Sequence, residues 1–265
     1  MAEELVLTEI DKRGVATVTL NRAEVHNALN DAVVDALRAA FDGLAARQDV
    51  RAVILAARGK SFSAGADLKW MRQVAEFSPA ENKADALRIA EVFDKLNTLP
   101  MPTIAKIQGS AFAGGVGLVV CCDIAVAAEH AQFAITEVRL GLLPAMISPY
   151  VVGAIGPSAA RRYCQTAERF DAQEAKRIGL LHEVVAADAL DAAVEDIVGS
   201  ILKNAPASVA ASKALIRETV GPVTEAMRED TASRIAAIRA TDEAKEGRAA
   251  FFEKRKPAWV AAGGA

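Results

Sequence analysis

AFAGGVGLVVCCD, residues 111–123, places two adjacent glycines, Gly114 and Gly115, and a third, Gly117, at the start of an apolar run that ends in Asp123. Glycines that open an apolar helix leave backbone N–H groups bare, so that something negative can approach closely. No acid or base stands among these glycines, so the run offers donors without a reactive side chain. A second stretch has the same character. SFSAGADL (61–68) follows the apolar run AVILAA (52–57), just as AFAGGVGL (111–118) follows TIAKIQ (103–108). Two such amides converging on one point would make an oxyanion hole, built for an oxygen that becomes charged only as a reaction proceeds. Tight packing of helix on strand uses the same small residues, and the residues alone leave both readings open.

Working outward, the periodicity predicts strands at 5–9 and 15–20, joined by a turn at Lys12–Gly14. Asn30 is placed to cap a helix running to about Ala46. A buried strand follows at 52–57, then a small-residue loop at 61–66 and a short helix through Leu68, Trp70 and Met71. Ser78-Pro79-Ala80-Glu81 has capping-box spacing with proline at the first helical position, ahead of a helix to about Asn97. Pro100 and Pro102 break the chain before the strand at 103–108, and 124–128 and 132–135 read as further strands. Asp171 and Glu174 open another helix, before the apolar stretch 178–185. Strands and helices alternate to about residue 185, and from about Leu190 the pattern is helical only. That predicts an α/β body, residues 1–190, with a helical C-terminal lobe, residues 191–265.

The 265 residues are 52% hydrophobic and 25% charged, with a net charge of −3 and no basic stripe, which argues against a nucleic-acid partner. The first residues, MAEELVLTEIDKRG, lack the basic start and apolar block of a signal peptide, and no apolar run reaches a membrane-spanning length of about 18 residues. A cytoplasmic location is expected. The three cysteines, Cys121, Cys122 and Cys164, read as free thiols, the first two as small buried hydrophobes. His26, His130 and His182 lie far apart, so no metal site is expected. RGKSF fails as a phosphate loop because Ile54 stands where the first glycine would be, and SFSAG fails as a nucleophile elbow because Ser61 stands where glycine is needed. AGGVGL lacks the spacing of a dinucleotide fingerprint.

SFSAGADLKWM (61–71), PMPTIAKIQGSAFAGG (100–115), CCDIAVAAEHAQFAITEVRLGLLP (121–144) and EGRAAFFEKRKPAW (246–259) together resemble the crotonase, or enoyl-CoA hydratase/isomerase, superfamily, in the right order over essentially the whole chain. The resemblance implies a spiral of ββα units with a helical C-terminal trimerisation lobe. It also implies that the N–H groups of Ala66 and Gly114 hold the thioester carbonyl of an acyl-CoA. Of the two glutamates that family hydratases usually carry, the second matches Glu137. The first matches Gly117, where no carboxylate exists. The following loop also departs, reading PAMISP (144–149) where many members read PGxGGT. Glu137 would then serve alone or with a substitute such as Ser148 or an ordered water.

By the same resemblance, CoA would lie along Val25, His26 and Ala28 and along Ala64, Asp67 and Leu68. Phe251 and Lys256 would reach CoA from the C-terminal lobe, commonly that of a neighbouring subunit, and trimers or stacked trimers would form. CoA enters as part of the substrate, with no further cofactor. The narrower pattern is most similar to bacterial methylglutaconyl-CoA hydratases, with isohexenylglutaconyl-CoA hydratases as close relatives. A distal substrate carboxylate would then call for a cation, with Arg72 and Arg139 as candidates by position. Three functions follow as expectations: hydration of a 2-enoyl-CoA, isomerisation by a single glutamate, or acyl-CoA binding without chemistry.

Overall fold

The first two alternating runs form β1 (Val6–Ile10) and β2 (Val15–Leu20), an antiparallel pair. They open a computed structural model that describes residues 4–74, 76–219, 224–239 and 241–261. Residues 1–3, part of the N-terminal stretch compared above with a signal peptide, lie outside the described residues. Asn30 starts α1 (Asp31–Ala45) by accepting the Val33 N–H at 3.0 Å, which satisfies one of the orphan donors of a helix start. Val33, Leu37, Phe41 and Leu44 recur at helical spacing and are buried, as a one-sided apolar stripe requires. The continuous apolar run becomes β3 (Ala52–Ala57), parallel to β2. Both faces of such a strand must be covered, which is why its sequence does not alternate.

From β3 onward the chain repeats one move: a strand in a large sheet, a short strand in a small sheet, then helix. After β3 come β4 (Ser61–Ser63), α2 (Leu68–Val74) and α3 (Pro79–Thr98). After β5 (Thr103–Ile107) come β6 (Ser110–Phe112) and α4 (Gly114–Val120). After β7 (Ile124–Ala128) come β8 (Gln132–Ala134), a 3-10 turn over Glu137–Leu140, and α5 (Ser148–Thr166), which bends at Gly156 ahead of Pro157. β9 (Phe170–Asp171), α6 (Ala172–Arg177) and β10 (Glu183–Val185) complete the body. The large sheet runs β1-β2-β3-β5-β7-β10 and is parallel beyond its first pair, while the small sheet runs β4-β6-β8-β9 with β9 antiparallel. This is the expected spiral of ββα units. The segment 61–66, read as a loop, begins with a strand, because three residues are too few for a period but enough for pairing to β6.

The capping box at Ser78 and Glu81 forms as the spacing predicts, with both reciprocal bonds present. One face of the large sheet packs Val53, Leu55 and Ile107 into a core shared with Phe41, Phe93 and Phe133. The other face packs Ile104 and Val126 against Val194 and Val198 of α7 (Leu190–Leu202). α8 (Pro206–Glu218), α9 (Glu225–Arg239), α10 (Asp242–Phe252) and α11 (Ala258–Ala261) follow. Asp123 joins body to helices: Oδ2 accepts the N–H and hydroxyl of Thr103 at 2.7 and 2.9 Å and meets Lys213 Nζ at 2.7 Å. Cys121 and Cys122 are buried, Cys164 is half-buried, and all three are free. Among the described residues no helix is long and apolar enough to cross a membrane.

Candidate active site

Three parallel strands, β4, β6 and β8, lie side by side with Ser63 opposite Ala111, Ala111 opposite Phe133 and Phe112 opposite Ala134. Their C-terminal ends therefore form one edge, the place where parallel α/β sheets present binding groups. The chain leaves that edge three times. Each exit carries one expected group: Ala66 after β4, Gly114 after β6 and Glu137 after β8.

The first exit is held by a single parallel bridge between Leu29 and Ala66. Leu29 N–H donates to Gly65 O at 2.7 Å and Asp67 N–H donates to Leu29 O at 2.8 Å. Those bonds use the groups on either side of Ala66, so the Ala66 N–H itself faces away from Leu29. Gly65 has φ +86, a conformation that favours glycine, and a Cβ on it would stand 2.9 Å from Ala113 Cβ and 3.4 Å from Gly114 N. The two glycine turns are therefore in contact.

At the second exit Ala113 donates its N–H to Ala134 O at 2.9 Å and takes the positive φ of 47°. A strained alanine costs roughly 1–2 kcal/mol, and here it turns the next residue, Gly114, into the first position of α4. Among the described residues neither the Ala66 N–H nor the Gly114 N–H donates to an acceptor within the chain. Gly115 lies so close to β4 that a Cβ would be 2.6 Å from Ser63 O. Gly117, where the resemblance would place a carboxylate, is walled in: a Cβ there would collide with Ile147 Cγ2 and lie 2.7 Å from Phe93 Cε1.

At the third exit Glu137 opens a 3-10 turn instead of continuing the strand. Its Oε2 is shut off from solvent and has no hydrogen-bond partner. Burial pushes the Glu137 carboxyl up, against the smaller lowering effect of the N–H groups of Glu137 and Thr136, which is the direction a neutral-pH acid or base needs. Cys164 of α5 is near enough that, after burial, the Glu137 charge raises its thiol pKa further. Ser148 is spoken for locally, its hydroxyl donating to Ala145 O at 3.0 Å.

The residues expected along CoA come together in part. Val25 ends a 3-10 turn, and His26 and Asn27 follow in left-handed geometry at φ 54° and 53°. His26 Nδ1 lies 3.0 Å from Ser61 Oγ, and His26 O accepts the Ala64 N–H at 2.9 Å. Ala28 is buried, and its carbonyl accepts Arg22 Nη1 at 2.7 Å. Asp67 Oδ1 accepts the N–H of Lys69 at 2.8 Å and of Trp70 at 3.3 Å, starting α2, while Oδ2 meets Arg22 Nη2 at 3.0 Å. Burial works to raise the Asp67 carboxyl, but these N–H groups and Arg22 together hold it below the ordinary aspartate value. Leu68 is exposed beside it. Phe251 and Lys256 are exposed at the far end of the chain, in a segment whose hydrogen bonds run to Lys203, Ala207 and Ser208 rather than to this loop. Arg139 donates to Ala167 O at 2.6 Å, a C-terminal helix contact, and Arg72 is exposed on α2.

Sequence reasoning missed Arg22, Asn27, Phe93 and Ile147. Asn27 lies between His26 and Ala28, two residues expected along CoA, and its side-chain amide donates to Arg58 O and Ser61 O at 2.8 Å each, yet nothing in its spacing marks it. Among the described residues no group of three or more His, Cys, Asp or Glu is placed to hold a metal. A cleft of about 530 Å³ lies at the opposite end of β8, around Gln132 and Arg169. Two of its acids are in ion pairs, Glu168 with Arg162 and Glu174 with Arg177, Glu174 also accepting from Tyr163, and the third, Asp171, accepts the Glu174 N–H through Oδ1.

A family model for enoyl-CoA hydratase/isomerase matches residues 11–262. The chain belongs to that family. The crystal structure of an enoyl-CoA hydratase from Shewanella pealeana superposes with a TM-score of 0.93 at 41% identity, over 96% of each chain. An enoyl-CoA hydratase structure from Mycobacterium smegmatis gives 0.92 at 40% identity, over 97% of this chain and 99% of the other. The crotonyl-CoA hydratase of Syntrophomonas wolfei is 33% identical over 265 residues, 98% of this chain and 99% of its own length.

Proposed function

We propose that this member of the family hydrates 2-enoyl-CoA thioesters with one carboxylate. The observation that carries the reading is the buried, unpartnered Glu137 Oε2 on the same sheet edge as two free N–H groups. The thioester oxygen would accept from Ala66 and Gly114, which stabilises the enolate as it forms, each donor being worth roughly 3 kcal/mol in comparable holes. Glu137 takes a proton from water as the water oxygen bonds to C3. The same carboxyl then returns the proton to C2 and the enolate collapses to the 3-hydroxyacyl thioester. Incubation with crotonyl-CoA should give a product heavier by one water, and its absence with every 2-enoyl-CoA offered would overturn this reading.

Gly117 favours a second reading. Its side is filled by Phe93 and Ile147, so no carboxylate can stand at that position, and a single carboxylate also suffices to move a proton from C4 to C2 of a 3-enoyl thioester. Mass separates the two outcomes, since isomerisation adds nothing.

The finer substrate we propose is 3-methylglutaconyl-CoA, giving 3-hydroxy-3-methylglutaryl-CoA as in leucine and isovalerate breakdown. Exposed Arg72, one helical turn beyond Leu68 on α2, supports it as a partner for the distal carboxylate, whereas Arg139 is already engaged. A homotrimer or hexamer is the proposed assembly. Phe251 and Phe252, each 78% exposed and edge-to-face at 5.7 Å, supply an apolar surface on the C-terminal helices that a second copy would cover. Light scattering on the purified protein tests it.

A further inference from the structure

The loop 22–29 and the turn 63–67 are distant in sequence yet laced together as one piece. Ser63 Oγ donates to Asn27 O at 2.9 Å, Ala64 N–H to His26 O at 2.9 Å, Leu29 N–H to Gly65 O at 2.7 Å and Asp67 N–H to Leu29 O at 2.8 Å. Arg22 closes the set. Its planar guanidinium holds Ala28 O through Nη1 and Asp67 Oδ2 through Nη2, at 2.7 and 3.0 Å, with side chains only 14% and 10% exposed. A guanidinium fixes two acceptors through two nitrogens in one rigid plane, a geometry that a lysine's single flexible ammonium nitrogen does not reproduce. The loop it holds includes two left-handed non-glycine residues, His26 and Asn27, conformations that persist only where the surroundings impose them. Ala66, whose N–H is free, sits between the two bonds that join Gly65 and Asp67 to Leu29.

We infer that Arg22 is a positioning residue, which couples a nucleotide docked on the loop 22–29 to the placement of the Ala66 N–H. The inference rests on the acyl-CoA reading above. Its chemistry is that of remote binding energy: contacts made by the nucleotide end of CoA hold the loop, and the ion pair passes that order to the donor at the reacting carbonyl. Arg22 itself touches no reacting atom.

The test compares a 2-enoyl-CoA with the same acyl group on pantetheine, which lacks the nucleotide, in the unaltered chain, Arg22→Gln and Arg22→Lys. In the unaltered chain kcat should be roughly ten- to a hundredfold higher with the CoA thioester, the scale set by small displacements at a reacting group. In Arg22→Gln the CoA value should fall to within about threefold of the pantetheine value, with KM for the CoA thioester changed by less than about threefold. Arg22→Lys, which keeps the charge but loses the planar fork, should fall between and decides the matter if the glutamine variant does not fold. A purely structural role lowers both thioesters alike and preserves the ratio, which overturns the inference, as does an unaltered chain with equal kcat for both. Turnover with a preserved ratio removes the inference alone. No turnover of either thioester by the unaltered chain removes the functional reading and the inference with it.

Discussion

The two turns that offer a free N–H are neighbours, but they are held by opposite means. The turn around Gly65 is held by polar links, Arg22 to Asp67 and Ser63 Oγ to Asn27 O, together with the Leu29 bridge. The turn around Gly114 is held by contact: Leu29 and Phe93 border Gly114, Ser63 presses on Gly115, and Ile147 and Phe93 enclose Gly117. Hydrogen bonds to a ligand-facing loop can be tightened or released by what binds there. Close packing has two states, fitted or broken. One donor is therefore open to influence from the substrate's far end, while the other is fixed when the chain folds.

If both turns serve one carbonyl beside Glu137, removing the acid should stop chemistry and leave both turns intact. Glu137→Gln is expected to lower kcat by about 10²- to 10⁴-fold, the usual range for a general acid–base group, with CoA-thioester affinity kept. Turnover at the unaltered rate would detach the turns from any catalytic purpose. Next in size is the packed turn. Gly115→Ala would bring a Cβ to 2.6 Å from a backbone oxygen that cannot move aside. An expected kcat loss of about a hundredfold, with about 1–3 kcal/mol of stability, would appear in steady-state kinetics and denaturant melts. The laced turn should respond more gently. Asp67→Asn keeps an oxygen for the Lys69 and Trp70 N–H groups but loses the charge that faces Arg22. A kcat fall of about three- to tenfold with a stability loss near 1 kcal/mol is expected. If Asp67→Asn proves more damaging than Gly115→Ala, the contrast between a linked and a packed turn is wrong.

The contrast also separates what the sequence discloses from what it conceals. Caps and periods are local chemistry, so the helix starts at Asn30, Ser78 and Asp171 and the strands at 52–57 and 103–107 could be read directly. The glycine turns could be recognised as exposed backbone, though not distinguished from close packing, and the structure makes them both at once. Glu137 carried no local signal and emerged through family resemblance. Its burial could not be read, because the chain leaves β8 before reaching it and strand alternation no longer applies. Phe93 and Ile147 look like ordinary core residues, and only three-dimensional contact reveals that they fill the side of Gly117. Arg22 and Asp67 lie too far apart for any pattern to pair them. The strands that align the site, β4, β6 and β8, have three residues each, below the length at which alternation is evidence.

The smallest expected effect concerns stability rather than rate, and it asks whether the third exit bears a cost that the two turns do not. Burial raises the Glu137 carboxyl above the ordinary glutamate value of 4.5, and Oε2 has no partner. A carboxyl raised on folding is bound to its proton more tightly in the native chain than in the unfolded one. Its contribution to stability is therefore fully present below the unfolded pKa and is lost as pH rises through the higher folded pKa. At neutral pH the ionised acid should thus weaken the fold relative to a neutral isostere. Glu137→Gln should melt at a higher temperature than the unaltered chain at pH 7.5, and the gap should close as the pH falls below 4.5. The same titration predicts an acid limb of kcat/KM above that value, since the base must be ionised to accept a proton from water. Equal melting temperatures at both pH values would mean that Glu137 is solvated or paired in solution, and the site would then lack the poised acid that the two turns are built around.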